Sequence, residues 1–410
     1  MEVDPARARS ARVAVSTLTF VSGALVASYL PRLPEIRDGL GLTNAELGTA
    51  VAALPVGGLL VGGFAGALIA RFGSGRVGVL AGVAAAIAVA SIGFATSWAS
   101  LALAFLVYGM FDAAADASQN SHGVGLQRVY GRSILQGVHG VWSVGGLAAG
   151  AIGALAASAG VPVVAHLGAL ALTLVVALVA VAPRFLPRSV ADAPGGDPAG
   201  APRLRPGSLP RLLRVLAPLA LLGILCIFIG SGATTWSAIY LTDDLGQPVG
   251  AAGTAFVAFM AAMVAGRFTN DRWVDRWGPT WVVRVGALIC VAGCGAVVLA
   301  VPLASPWPAI LGFAAVGYGS ASMFPVMVAA AGSRPGIPAA HGIAISTWLV
   351  RLGLIVSPAL IGVTADALSL QAAMLLPLAA AIVIAVAAPV LTATPLGRRT
   401  TVVEAPVAGW

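Results

Sequence analysis

Lysine is absent from this sequence of 410 residues, and all 23 basic residues are arginine. Without a lysine amine, the chain cannot supply the phosphate-binding lysine of a Walker motif or form a Schiff base with pyridoxal phosphate or retinal. Charged residues of both signs make up only 9% of the chain, against about 25% in an average soluble domain. The composition therefore excludes an ordinary soluble domain.

Cysteine is scarce too, and the familiar catalytic motifs are missing. The three cysteines Cys226, Cys290 and Cys294 lie in apolar segments, and no histidine or carboxylate accompanies them at a metal-ligand spacing. We expect them to be packing residues, with no metal site and no cofactor. No HExxH or GxSxG motif occurs, which argues against a membrane enzyme. No cleavable signal peptide is recognisable at the N-terminus.

Long apolar runs dominate instead: 59% of the residues are hydrophobic and the mean hydropathy is +0.96. About 20 apolar residues span the hydrocarbon core of a bilayer as a helix. Twelve such runs predict an all-α membrane protein with twelve transmembrane helices. The predicted spans are 13–33, 44–70, 77–97, 100–122, 134–158, 161–182, 213–240, 251–270, 280–301, 308–331, 340–363 and 370–391.

The runs are arranged as two sets of six. We predict a six-helix bundle over residues 1–182, a Pro/Gly-rich cytoplasmic linker over 183–212, and a second bundle over 213–410 that ends in a short cytoplasmic tail. An Arg-aromatic-Gly turn follows the second run at Arg71 to Gly73, and another follows the eighth run at Arg276 to Gly278. This echo indicates a duplicated unit, which places a substrate site between the halves near the membrane midplane.

Arginine positions indicate the orientation, because basic loops stay in the cytoplasm. With the N-terminus inside, 20 of the 23 arginines fall in cytoplasmic segments. Arg32 and Arg37 fall in an external loop, and Arg351 falls inside a span. Both termini are then cytoplasmic. The net charge of +8 reflects this topology, so we expect contact with anionic membrane lipids and no nucleic-acid partner.

Ionisable residues interrupt two neighbouring spans. Asp112, Asp116 and Asn120 recur every four residues and share one helix face, and His139 follows in the next span. Because charges inside a membrane are unfavourable, such groups usually face a bundle interior or a wet cavity. Asp112, Asp116 and His139 are therefore candidates for proton coupling. The alternative is that Asp116 pairs with Arg128 or Arg132 and that His139 only packs.

Arg351 lies about eleven residues into its span, close to the membrane centre, and its side chain stays protonated. We expect it to bind an anionic or polar substrate or to pair with Asp112; a purely structural pair is the alternative. Further substrate-binding candidates are Ser143 and the aromatic residues found within spans, although ordinary helix packing also explains each aromatic. These aromatic candidates are Tyr29, Trp142, Trp236, Tyr318 and Trp348.

The chain resembles the major facilitator superfamily, and within it the fucose-permease-like branch of bacterial inner-membrane transporters. The resemblance covers nearly the whole length and rests on the ordered motifs YLPRLPEIRDGLGLTNAELG, RFGSGR, DASQN, GRSILQGVHGVWSVGGLAAG, WSAIYL, GRFTNDRWVDRWG, GYGSASMFP and SPALIG. It implies twelve helices, alternating access and solute movement driven by an ion gradient, usually of protons. It also implies gating loops on the cytoplasmic side, formed by Arg71, Gly73, Arg76, Asp275, Arg276 and Gly278.

Two departures from the family pattern bear on the mechanism. Ala70 stands where an aspartate usually precedes the first-half arginine, whereas Asp275 keeps that place in the second half. Ser231 and Thr235 replace acidic residues that relatives tend to carry in the seventh helix. The loss of the seventh-helix acids and the apolar, aromatic lining favour export of a drug or metabolite, whereas the fucose-permease resemblance favours the alternative, proton-coupled uptake of a sugar-like solute. A membrane sensor, a membrane enzyme and a channel fit less well. We expect a monomer in the bacterial inner membrane.

Overall fold

A computed structural model describes residues 4–131, 134–192, 209–334 and 339–391, and this part of the chain is helical with no strand. The first half contains α1 Pro5–Ser28, α2 Leu33–Leu40, α3 Asn44–Gly62, α4 Ala65–Phe72, α5 Ser74–Ile92, α6 Trp98–Tyr130, α7 Leu135–Ser158, α8 Val163–Val181 and α9 Arg188–Ala191. The second half contains α10 Leu209–Asp243, α11 Val249–Trp277, α12 Pro279–Ala300, α13 Pro306–Ser320, α14 Met323–Gly332, α15 Ala339–Ala367, α16 Leu370–Ala373 and α17 Leu375–Ala387.

Twelve helical stretches in the described residues are long and apolar enough to cross a membrane, which confirms the predicted number of spans. Several helices continue well beyond the predicted runs: α6 ends at Tyr130 instead of residue 122, and α11 ends at Trp277 instead of residue 270. Hydropathy falls at the first polar residues, but backbone hydrogen bonding carries each helix on into the more polar region. Charged residues near the end of an apolar run therefore lie further inside a helix than the run suggests.

Close helix packing depends on glycine at chosen positions. Gly109 of α6 packs directly on α3, where a Cβ atom would collide with the carbonyl oxygen of Leu54. Small residues of this kind let helix backbones approach in a membrane, where apolar side chains gain little from leaving lipid. The α3/α6 contact in turn fixes the position of Asp112, which lies three residues after Gly109.

The two halves meet at one face of the molecule, which we name the closed face. Here Arg37 of α2 pairs with Asp243 at the end of α10, with Nη1 to Oδ2 at 2.5 Å and Nη2 to Oδ1 at 2.9 Å. Asp366 of α15 accepts hydrogen bonds from the backbone nitrogens of Asn44 and Ala45 at 3.1 and 2.8 Å. A carboxylate from one half thus caps the N-terminus of α3 in the other half, where the helix dipole favours negative charge.

The opposite face, where α1 begins and α17 ends, is named the termini face. The Arg-aromatic-Gly turns lie here, and both have the same backbone shape: φ is 86° at Gly73 and 83° at Gly278. Both glycine nitrogens close the preceding helix, onto Ile69 and Val274. Left-handed φ values of this kind favour glycine, which explains why both repeats carry it.

A steric prediction follows from the α3/α6 contact. Gly109→Ala should lower thermal stability by about 1–3 kcal/mol, because the backbone of α3 cannot easily move away from the added methyl group. The measurement is thermal unfolding of the purified protein in detergent.

The matched control is Gly168→Ala in α8, where a Cβ would meet no atom within 4 Å. That change should be neutral or slightly stabilising, since alanine favours helix more than glycine does. Equal melting temperatures for the two variants would contradict the packing argument.

Candidate functional site

Arg351 of α15 reaches across the interface of the two halves into the crossing of α3 and α6. Its Nη1 atom lies 3.0 Å from the position that a Cβ atom would take on Gly58, and Gly109 and Ala113 of α6 border the same spot. Asp112 is adjacent on α6 and lies within range of the charges of Arg351 and Asp116. Within the described residues, no carboxylate lies within 4 Å of the Arg351 guanidinium. The two groups are thus neighbours without a direct salt bridge.

Asp116 lies one turn from Asp112 and is held by amide groups. Its Oδ1 atom accepts hydrogen bonds from Gln119 Nε2 at 2.9 Å and from Asn120 Nδ2 at 3.2 Å. Gln119 also accepts a hydrogen bond from Ser22 of α1 at 3.4 Å. The Asp112 side chain, in contrast, has no hydrogen-bond partner among the residues that the structure describes. Asp116 is therefore the anchored carboxylate of the pair, and Asp112 is the one free to change partner.

Arg267 is a second arginine inside a span that contacts the other half. From the sequence it was counted among the 20 cytoplasmic arginines, because it lies near the end of the predicted span 251–270. Its Nη1 atom donates to Ser143 Oγ of α7 at 2.5 Å, and its guanidinium lies 5.6 Å from the centre of the Trp142 ring. Of the five N–H donors of a guanidinium, this contact uses one. Because α11 continues ten residues past Arg267, this charge lies well inside the bundle.

Cavities open at the termini face. One of about 530 Å³ is lined by Arg9, Arg12, Phe20 and other residues of the first half, including Tyr130. Another, of about 620 Å³, lies between α3, α4 and α6, and Asn120 is part of its wall. Among the described residues, only first-half residues line these two cavities. The contacts between the halves that position Arg351 and Arg267 lie away from both cavities.

The aromatic candidates occupy different environments. Tyr29 is buried against Phe105 and Tyr108, with ring centres 5.1 and 6.2 Å apart. Trp236 is fully buried, and its indole nitrogen has no acceptor among the residues that the structure describes. The other candidates are less enclosed: Trp142 contacts Arg267 as described above, and Trp348 is 57% exposed, one helical turn before Arg351.

Tyr318 and His139 complete the predicted set. Tyr318 lines a groove between α11, α12 and α13 within the second half, where its hydroxyl lies 3.1 Å from Thr269 Oγ1. This position is away from Arg351 and Asp112. His139 belongs to α7, but its side chain lies outside the described residues.

The predicted gating residues all lie at the termini face, but the two loops differ. Arg71 stacks on Phe72 and Arg276 on Trp277, at 5.3 and 5.6 Å from the ring centres. Arg76 and Asp275 are exposed. Among the described residues, the first-half loop alone is bound by a neighbouring segment. We name this segment, residues 182–192, the clamp.

The clamp follows the sixth span and packs on the first-half loop. Asp192 Oδ2 accepts a hydrogen bond from Ser74 N at 2.9 Å, and Arg188 donates to the carbonyl oxygens of Ala70 and Arg71. His122 of α6, fully buried, lies 2.8 Å from Ser74 Oγ and accepts a hydrogen bond from Leu186 N at 3.2 Å. Asp192 thus supplies a carboxylate to the loop in which Ala70 replaces the usual aspartate. Sequence reasoning missed these contacts, since no local pattern links positions so far apart.

Comparisons with known proteins agree with this architecture. Residues 15–241 and 219–408 each match the family model described as Major Facilitator Superfamily. An uncharacterized MFS-type transporter of Yersinia pestis is 29% identical over 368 residues, which cover 89% of this chain and 91% of that protein. The crystal structure of the nucleoside transporter NupG aligns with a TM-score of 0.74 at 15% identity, over 93% of this chain and 98% of that one. A D-xylose-proton symporter aligns at 0.71 and 13% identity, over 93% and 96%. At these identities the solved structures are similar in fold alone.

The closed face should respond to pH through Asp244, which lies just outside the span of α10. Burial and the adjacent charge of Asp243 raise the pKa of Asp244 from 3.8 to about 6, against a smaller opposing effect of the Gln371 backbone N–H. The closed face holds the protonated form more tightly, so its added stability is complete below pH 3.8 and is lost as the pH rises through about 6. Lowering the pH from 7.5 to 5 should therefore favour closure, measured as the distance between spin labels at Gly39→Cys and Val249→Cys.

Two variants test this assignment, and labelling is selective because Cys226, Cys290 and Cys294 are buried. Asp244→Asn should remove most of the pH response. Asp275→Asn, at an exposed carboxylate on the termini face, should leave it intact. An undiminished response in Asp244→Asn would assign the effect to another group.

Proposed function

Because the chain belongs to the Major Facilitator Superfamily, we propose that it is a secondary active transporter that moves a small organic solute across the bacterial inner membrane by alternating access. The observation that carries this proposal is Arg351, a second-half arginine inserted between α3 and α6 of the first half beside Asp112. A permanent positive charge and a titratable carboxylate thus lie on opposite sides of the interface that must rearrange. The transported solute is the small-molecule partner, and the protein needs no cofactor.

The proposed coupling is a competition for Arg351. When Asp112 is ionised, it attracts Arg351 and draws α6 and α15 together. When Asp112 takes up a proton, that attraction is lost, and an anionic or polar group of the solute can bind the Arg351 guanidinium instead. Asp116 lies one turn nearer the termini face and acts as the next proton acceptor, and His139 on α7 is the third candidate. Protons are therefore the proposed coupling ion.

Arg267 extends the substrate site to the α7/α11 side of the interface. Its guanidinium, the Ser143 hydroxyl and the Trp142 ring together offer charge, a hydrogen-bonding group and an aromatic face. With Arg351, this places two arginines at the interface, which suits a solute that carries a carboxylate or another anionic group. Trp348, next to Arg351 on α15, can cover a ring of the solute.

The distribution of arginines supports a cytoplasmic termini face. The first six-helix bundle would then be residues 1–182 and the second 213–410, joined by the cytoplasmic linker 183–212. With that orientation, the Arg37–Asp243 and Asp366–α3 contacts between the halves would lie on the outer side, which supports a state closed to the outside. Export of a drug or metabolite is favoured by Ser231 and Thr235 in place of acidic residues on α10, while uptake of a sugar-like solute is the second candidate. Membership of the fucose-permease-like branch and a monomeric state remain predictions.

The test of coupling is reconstitution into liposomes with an imposed pH gradient and a panel of sugars, organic anions and hydrophobic cations. Asp116→Asn should abolish accumulation driven by the gradient and leave solute exchange intact, because asparagine keeps the oxygen that accepts from Gln119 and Asn120 but cannot carry the proton. The control is Asp4→Asn, since Asp4 is an exposed helix cap at the N-terminus and asparagine caps equally well. Full accumulation by Asp116→Asn would remove this residue from the mechanism. Accumulation by the unmodified protein without any gradient would exclude proton coupling.

The test of substrate binding separates Arg351 from the proton site. Arg351→Gln should raise the solute concentration for half-maximal exchange about 10- to 100-fold, since hydrogen bonds to a charged group are each worth about 1.5–3 kcal/mol. Asp112→Asn should leave that concentration within a few-fold and abolish its dependence on pH. If Arg351→Gln exchanges solute with unchanged affinity, the arginine serves only as a structural group.

A further inference from the structure

A groove of about 250 Å³ lies on the second half between α11, α12 and α13, apart from the interface site. We name it the tryptophan groove. It begins at the termini face, where α11 ends and α12 starts, and follows α12 toward the membrane interior. Its wall changes character with depth: Trp281 is followed by Val285 and Ile289, which lie about 6 and 12 Å further along the helix at 1.5 Å per residue. The groove is therefore polar and aromatic at its mouth and aliphatic below.

Three tryptophans form a continuous stack at the mouth. Trp273 and Trp277 lie parallel with ring centres 4.4 Å apart, and Trp281 lies 4.2 Å from Trp277 across the turn at Gly278. Each is between 37% and 42% exposed. Their indole N–H groups have no acceptor in the part of the chain that the structure describes. Three hydrogen-bond donors thus remain available beside an apolar groove.

A buried amide lies deeper in the same wall. Asn270 is only 6% exposed, and its side chain makes no hydrogen bond among the described residues. Its amide atoms are not fully enclosed, so they can be reached from the groove. Because Asn270 lines the groove, a ligand with an acceptor oxygen below the tryptophans would satisfy it.

Arg276 lies beside the mouth. Arg272 and Arg276 are exposed on α11, and Arg276 lies 5.6 Å over the Trp277 ring. Asp271 and Asp275 in the same segment balance the two arginines, so the position of Arg276 on the tryptophan stack, and not a net charge, favours an anionic group. Arg284, at the same end of α12, is directed elsewhere, because its Nε donates to the carbonyl oxygen of Ala385 at 3.2 Å. The arginines beside the groove thus differ from an arginine that only packs nearby.

The repeated fold does not require these residues. Aligning Gly278 with Gly73 places Ala65, Leu68, Phe72 and Arg76 at the positions of Asn270, Trp273, Trp277 and Trp281. The first half therefore forms the same turn with no tryptophan and no buried amide. The tryptophan groove is an addition specific to the second half.

We propose that the tryptophan groove binds one anionic phospholipid. Arg272, Arg276 and the indole N–H groups hold the phosphate and headgroup at the termini face, the Asn270 amide donates to an ester carbonyl, and an acyl chain lies along Val285 and Ile289. From the mouth of the groove inward, along α11 and α12, these groups follow the order of the chemical groups in a phospholipid. The proposal does not depend on the transported solute or the coupling ion.

The experiment uses the full-length protein in detergent and two lipids with identical dibrominated chains, phosphatidylglycerol and phosphatidylcholine. Bromine quenches tryptophan fluorescence only at contact. Phosphatidylglycerol should reach half-maximal quenching at a concentration at least tenfold lower than phosphatidylcholine. The variant Trp273→Phe/Trp277→Phe/Trp281→Phe should lose this lipid-specific component, because no other tryptophan among the described residues lines the groove.

Charge variants decide whether the site is specific. An arginine near a membrane surface contributes about fivefold to the affinity for an anionic lipid, so Arg272→Gln/Arg276→Gln should raise the half-quenching concentration about 25-fold. The matched control Arg284→Gln should change it less than twofold, and Asn270→Leu should weaken both lipids alike. Equal quenching by the two lipids in the unmodified protein would overturn the proposal. So would an Arg284→Gln effect as large as that of an Arg272 or Arg276 change.

Discussion

An arginine inside a bilayer keeps its charge and must be compensated, and this constraint organises the interface of the two halves. Arg351 and Arg267 both belong to the second half, and both find their neighbours in the first half: Gly58 and Asp112 for one, Ser143 and Trp142 for the other. Neither has a salt bridge within the described residues. Their stabilisation therefore depends on contacts between the two halves, which move relative to each other in the proposed mechanism.

The two halves repeat the same helical unit, but the contacts around the glycine turn differ between them. Both halves form the same glycine turn, at Gly73 and Gly278. In the first half the clamp binds that turn through Asp192 and Arg188, so the loop is held to the body of its own bundle. In the second half no such clamp is seen in the described residues, and three stacked tryptophans lie on the helices that flank the turn. The first-half turn is thus held by protein contacts, whereas the second-half turn is flanked by partly exposed tryptophans.

Much of this fold could be predicted from the sequence, and the reason is physical. A span needs about 20 apolar residues, so twelve runs predict twelve helices, and the recurring Arg-aromatic-Gly turn reveals the repeat. The proximity of Arg351 to Asp112 was one of two expectations, since a membrane arginine needs a compensating group. The role of Arg267 was not predictable in the same way. Arg267 lies close to residue 270, where charged residues end the apolar run, so it looked like a residue at the membrane surface. The helix in fact continues to Trp277. The separate locations of Tyr318 and Trp142 depend on which helices pack together, and single-span patterns carry no information on that.

The permanent charge of Arg351 has one more consequence. The second half carries fixed positive charge at mid-depth, and the first half carries the carboxylates of Asp112 and Asp116 at a similar level. In the proposed alternating-access mechanism the halves rock, and these opposite charges are then displaced in opposite directions in the electric field of the membrane. A unit charge crossing the full field changes in energy by about 2.3 kcal/mol per 100 mV, so a displacement through a tenth of the field contributes about 0.2 kcal/mol. The transmembrane voltage therefore acts on the balance between the two states even when no solute is bound.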